Sequence, residues 1–190
     1  MEQEGKNKVN GMEVENGKRE TGSRKGVELA MRVLALVLTM TAAIVLGVAK
    51  QTKVVPIKLI PTLPPLDVST TAKASYLSAF VYNVSVNAIA CGYTAISIVI
   101  LMISKGKRSK GLLMAVLIGD LVMVALLFSG TGASGAIGLM GKQGNDHVMW
   151  KKVCGVFGKF CNQAAASIAI TLIASVVFMG IVVLDAMKLP

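Results

Sequence analysis

The sequence predicts an all-α membrane protein, a bundle of four transmembrane helices with both termini in the cytoplasm. Three observations carry that reading. Four apolar runs, each of roughly the 20 residues that cross a bilayer core, follow one another along the 190-residue chain. Hydrophobic residues make up 54% of it and charged residues 16%, at a mean hydropathy of +0.66, whereas a soluble domain carries about 25% charge. The net charge of +10 is concentrated where basic residues abut apolar segments, at Lys18, Arg19, Arg24 and Lys25 and in KGKRSK, Lys105 to Lys110. Short basic segments beside spans mark the cytoplasmic side. The positive charge is therefore a topology signal, and with few aromatic residues to stack on bases it argues against a nucleic-acid partner.

Residues 1–26 are polar and charged, too poor in apolar area to offset their ordering entropy. They are expected to form a disordered cytoplasmic tail ahead of a membrane domain over residues 27–190; Thr21 and Ser23 offer a modification or partner site as the alternative reading. The first span runs from about residue 29 to 49, with Arg32 one turn inside. A signal peptide competes here, since Gly47 and Ala49 are small residues placed as at a cleavage site. Its apolar core would be roughly 7–15 residues, shorter than the unbroken run Val33 to Ala49, so an uncleaved anchor is expected.

Lys50 to Ala79 holds four of the five prolines, and Pro64–Pro65 excludes a helix interior, which predicts a loop between spans. The second span covers about 80–103. Asn83, Asn87, Thr94 and Ser97 fall on one side of it, facing either other helices or a polar channel. The sequon Asn83-Val84-Ser85 lies at the mouth of this span and is expected to be unmodified.

The third span, about 111–134, contains Asp120 near its middle and ends in SGTGASGAIG, Ser129 to Gly138. Gly130, Gly132 and Gly135 match GxGxxG, but without the flanking strand and the acidic residue that dinucleotide binding requires. Close helix packing through small residues is the alternative, and no cofactor is expected. Lys142 to Gln163 then form a second outer loop. The fourth span, about 164–184, places Ser167, Thr171 and Ser175 on one face and is followed by Asp185 and a five-residue tail.

Arg32 and Asp120 are the two charges set well inside apolar runs. A lone carboxylate at that depth costs roughly 2.5–3.5 kcal/mol, so a partner or a wet cavity is required. Both residues enter from the cytoplasmic side at similar depth, and an intramembrane ion pair orienting the first span against the third is the leading reading. Two others stand beside it. Arg32 reaches the headgroups or pairs with Glu28 four residues away, or Asp120 titrates in a proton or cation path.

Cys154 and Cys161 share a loop that this topology exposes outside the cell, where disulfides persist. In a continuous helix their Cα atoms would stand about 10.5 Å apart, so a bridge requires GVFGKF to bend, which Gly155 and Gly158 make easy. The rival is a metal site of His147, Cys154 and Cys161, which lacks a fourth ligand. Cys91 reads as a small buried residue. Trp150, Phe157 and Phe160, interleaved with Lys151, Lys152 and Lys159, predict an apolar outer-loop surface, either an interfacial anchor or a docking face. No nucleophile with a supporting base and no paired carboxylates stand out, so an enzyme is not expected.

With these residues in view, the chain resembles the CASP-like members of the Casparian strip membrane domain protein family of land plants, themselves related to MARVEL-type four-span proteins. The likeness covers Gly26 to Pro190 and rests on Arg32 in MRVLALVLT, Asp120 in IGDLVM and the loop WKKVCGVFGKFCNQ. It implies a plasma-membrane protein with cytoplasmic termini that forms homo- and hetero-oligomers. It further implies a scaffold that builds immobile membrane domains and recruits extracellular wall-modifying enzymes. The first outer loop, KLIPTLPPLDVSTTAKAS, departs from the aromatic-rich signature of the relatives that build the strip itself, which argues against placement there. A small transporter or channel using Asp120 in the bundle interior is the alternative function.

Overall fold

The computed structural model describes residues 26–57, 66–103, 110–145, 147, 150 and 152–188. Residues 1–25 of the tail, the Pro64–Pro65 pair and most of the basic KGKRSK segment lie outside them. Four helices, each long and apolar enough to cross a membrane, run as α1 (Gly26–Gly47), α2 (Ser78–Ile103), α3 (Lys110–Gln143) and α4 (Gly158–Ala186). In lipid only a helix satisfies its backbone within one segment, so runs rich in Leu, Val, Ile, Ala and Met take that form. The chain passes up and down. One end of the bundle gathers the start of α1 and the end of α4; the other carries the connections after α1 and after α3.

The first of these connections departs from the loop expected over Lys50 to Ala79. It is an antiparallel hairpin, β1 (Lys50–Ile57) paired with β2 (Leu66–Lys73), followed by a short 3-10 turn at Ala74–Tyr76. Pro56 stands opposite Asp67 in that pairing, on a two-stranded sheet where a missing N–H is tolerated. An isolated hairpin is marginal in water, and this one is tied to the bundle. Ala74 N donates to Ala49 O at 3.2 Å, and Gln51 Oε1 accepts from Phe160 N at 2.9 Å. The second bond satisfies an orphan donor in the first turn of α4, whose own N-cap, Phe157, supplies no side-chain cap.

Two helix boundaries also move. Expected to stop near 134, α3 continues to Gln143. Glycines are common in membrane helices, and Thr131 and Ser134 hydroxyls return to the carbonyls of Leu127 and Gly130 instead of breaking the helix. Of the three glycines in the GxGxxG match, only Gly130 lies in close packing: a Cβ there would meet Asn83 Oδ1 at 3.1 Å, while Gly132 and Gly135 face open space. At the other boundary α4 starts at Gly158, six residues before the expected 164, because the chain turns sharply over 154–157 and enters the helix directly.

Two apolar clusters hold the bundle. Ala35, Val86, Ala90, Met123, Leu127, Val177, Phe178 and Ile181 join all four helices in the middle. Leu46, Ala49, Ala74, Phe80, Phe157, Phe160 and Ala164 join the helices to the hairpin end.

Candidate functional site

Arg32 lies less than two turns into α1, where its side chain is fully buried. Its guanidinium faces α3 and α4. Nη1 donates to Asp120 Oδ1 at 3.2 Å and Nη2 to Asp120 Oδ2 at 2.9 Å, the two-pronged geometry that a planar fork makes with a carboxylate. Nη2 also donates to Asp185 Oδ2 at 2.8 Å. On its own helix, Nε stands 3.6 Å from Glu28 Oε1, an ion pair beyond hydrogen-bond length. Lys188, just past the end of α4, closes the cluster from the terminal side. Its Nζ donates to Glu28 Oε2 at 2.6 Å and to Asp185 Oδ1 at 2.7 Å.

Two cations and three carboxylates thus join α1, α3 and α4, with Glu28, Arg32, Asp120 and Asp185 all buried. Helix α2 reaches the same level through Tyr93. Its hydroxyl donates to Val116 O at 2.8 Å, one turn before Asp120, and its side chain lies over Gly119, where an added Cβ would meet the hydroxyl oxygen at 2.6 Å and ring carbons at 2.7 and 2.8 Å. Removing ions from water is tolerated only when the pairing geometry is good and the remaining donors and acceptors are filled. Both oxygens of Asp120 and both of Asp185 accept, so the arrangement fixes the rotation and depth of three helices at one point.

The residues singled out from sequence are therefore distributed as follows. Arg32 and Asp120 meet, and Glu28, weighed there as a rival partner, joins the same cluster. Asp185 and Lys188 were missed. The sequence pattern sets Asp185 beyond the fourth span, whereas α4 continues to Ala186 and brings that carboxylate to the level of Arg32.

A polar belt runs through the bundle. Asn83, Asn87, Thr94 and Ser97 on α2 and Ser167, Thr171 and Ser175 on α4 are all buried. Asn87 Nδ2 donates to Asn83 O at 2.8 Å and to Thr171 Oγ1 at 3.0 Å, and Ser167 Oγ donates to Ala42 O at 2.8 Å. The sequon asparagine is thus inside the protein.

At the hairpin end Cys154 and Cys161 are bridged, their Cα atoms 5.6 Å apart. Only Cys161 is helical; Cys154 sits in the turn, which supplies the bend that the bridge requires. With both thiols in the disulfide, His147 lacks those two ligands for a metal, and Cys91, free, is partly buried within α2. The expected outer surface needs correcting. Trp150 is half exposed, but Phe157 and Phe160 are buried at 7% and 4% exposure, Phe160 with its ring centroid 6.0 Å from that of Phe80. Turning inward at the start of α4, these two rings fill the space beneath the hairpin, while Lys159 between them stays outside.

Comparison with known proteins agrees with this architecture. The Casparian strip membrane protein domain matches residues 21–177. CASP-like protein 1E1 and CASP-like protein 1E2 of Arabidopsis thaliana are 86% and 81% identical to the chain, each over the full length of both proteins. CASP-like protein 1E2 of Vitis vinifera is 52% identical over all of this chain and 98% of its own. No solved structure matches the chain.

Proposed function

The chain belongs to the Casparian strip membrane protein domain family and is a multi-pass membrane protein; from that premise we propose that it is a plasma-membrane scaffold with both termini in the cytoplasm. It self-associates and joins relatives in homo- and hetero-oligomers, organises a membrane domain, and recruits cell-wall-modifying enzymes on the outer side without itself being a catalyst. The observation that supports this reading best is how the intramembrane charge is used. Both oxygens of Asp120 are held by Arg32, and the same guanidinium holds Asp185. A carboxylate that carried protons or cations would have to release its partner in each cycle, at the cost of stranding a buried arginine. A locked bundle suits a platform that persists; it suits a transporter poorly.

Fluorescence recovery of a tagged copy at the plasma membrane tests the reading. A scaffold gives a large immobile fraction, and rapid full recovery contradicts it. Flux assays on the purified protein in vesicles address the rival directly: measurable ion or solute movement that is lost in Asp120→Asn would favour transport.

A further inference from the structure

A cavity of about 1160 Å³ opens at the hairpin end between α3, α4 and the disulfide loop, on the scale of a site for one large organic ligand. Its walls change character with depth. The part toward the middle of α4 is apolar, lined by Ile137, Ile168, Ala169 and Leu172; the part at the disulfide loop, its mouth, carries Lys142, Lys152 and Trp150. Along α4 the lining runs from Gly158 to Leu172, which is the first residue of that helix to its midpoint. At 1.5 Å per residue that is about 21 Å, the thickness of one leaflet with its headgroups, since a whole bilayer measures about 40–45 Å.

An apolar slot one leaflet long, with two lysines and an indole at its interfacial end, matches the chemistry of a phospholipid with an anionic headgroup. We infer that this cavity is a binding site for such a lipid, its acyl chain along α4 between Ile168 and Leu172 and its phosphate between Lys142 and Lys152. Ammonium groups near a membrane surface attract an anionic headgroup by about 1 kcal/mol each, and the apolar wall receives the chain. The loop is built to keep the mouth open. Gly144 turns the chain at a φ of +73°, where a Cβ would strike Trp150 O at 2.8 Å, and Trp150 is pinned to Asn145 by reciprocal backbone bonds of 2.9 and 3.0 Å. Val153 N and Cys154 N both donate to Gly141 O, fastening the other side of the loop to α3. This site stands apart from the ion cluster and does not depend on the scaffold reading.

Trp150 is the only tryptophan, so it reports on the mouth alone. The full chain is reconstituted in phosphatidylcholine vesicles containing a few per cent of brominated phosphatidylglycerol or, separately, of brominated phosphatidylcholine. Occupancy of the cavity gives saturable quenching of Trp150 by the anionic lipid, with enrichment on the order of tenfold over the zwitterionic one. Lys142→Gln with Lys152→Gln should abolish the preference. Ala169→Phe, which fills the slot without touching charge, should also lower quenching. Equal quenching by the two lipids in the unaltered protein overturns the proposal. So does a preference that survives Ala169→Phe undiminished, since that describes lipid attracted to a basic rim and not held in a cavity. Intact Cys154–Cys161 bridging in each variant, checked by non-reducing mass mapping, establishes that the loop has folded.

Discussion

Arg32 on α1 and Asp185 on α4 are separated by 153 residues and share a hydrogen bond of 2.8 Å, with both side chains fully buried. The same Nη2 serves Asp120 on α3, so a single nitrogen bridges three helices. Cluster charge then decides which substitution hurts most. Arg32→Gln leaves one cation among three carboxylates and should cost roughly 3–5 kcal/mol, the range for breaking a buried pair. Asp185→Asn leaves two cations with two carboxylates and should cost less, about 1.5–3 kcal/mol for the lost charged hydrogen bonds. Unfolding of the purified variants in mild detergent measures both, and the reverse order would contradict the arrangement.

Lys188 differs because its side chain keeps 29% of its surface exposed. Solvent screens such a partner, so Lys188→Ala should cost about 1 kcal/mol or less. A loss as large as that of Arg32→Gln would mean that the ammonium is a full member of the buried network.

Gly119→Ala should destabilise the bundle by about 1–3 kcal/mol, as overpacking does. The new methyl would stand 2.6 Å from the Tyr93 hydroxyl, and moving the ring away breaks its bond to Val116 O. Adding Tyr93→Leu should recover much of that loss. Two additive penalties in a thermal-unfolding comparison would show that the contact is not what the glycine protects.

What could be read from the sequence followed the size of the physical signal. Arg32 and Asp120 stood out because a charge inside an apolar run is costly wherever it points. Asp185 did not, because a carboxylate at the edge of a run looks solvated until the helix is known to continue beyond it. Helical spacing placed Asn83, Asn87, Ser167 and Thr171 on inward faces, and all four are buried. The hairpin was hidden by its prolines and by its short, mixed strands, whose attachment depends on Gln51 meeting a helix 109 residues away. Phe157 and Phe160 stand three residues apart with Gly158 and Lys159 between them, a spacing that suits a surface as well as a helix start. Only the turn over 154–157 decides between them.

That distinction yields a further test. Phe160→Ala empties a packed site and should cost about 3–5 kcal/mol, whereas Trp150→Ala, at a half-exposed position, should change stability by roughly 0.5 kcal/mol or less in lipid-free detergent. Similar losses for the two would place Phe160 on the surface after all.

Replacing Cys154 and Cys161 by serine opens a closed loop of eight residues, a separation of seven, and should lower stability by about 2–3 kcal/mol on the chain-entropy estimate. The effect should be local: trypsin should cut faster after Lys152 or Lys159, while the ion cluster at the opposite end stays intact. Unchanged cleavage kinetics would indicate that the loop is held without the bridge.

A double-mutant cycle on Arg32→Met and Asp120→Leu, read as unfolding free energy in reconstituted membranes, bears most directly on the claim that paired ions lock the helices. Arg32→Met strands Asp120, and Asp120→Leu takes from Arg32 its two-pronged partner while leaving it Asp185. The double variant removes both members, so it should be more stable than the sum of the single losses by about 2–3 kcal/mol, the upper part of the range for contacting residues. Losses that add to within about 0.5 kcal/mol would mean that Arg32 and Asp120 act independently, and the lock would not exist.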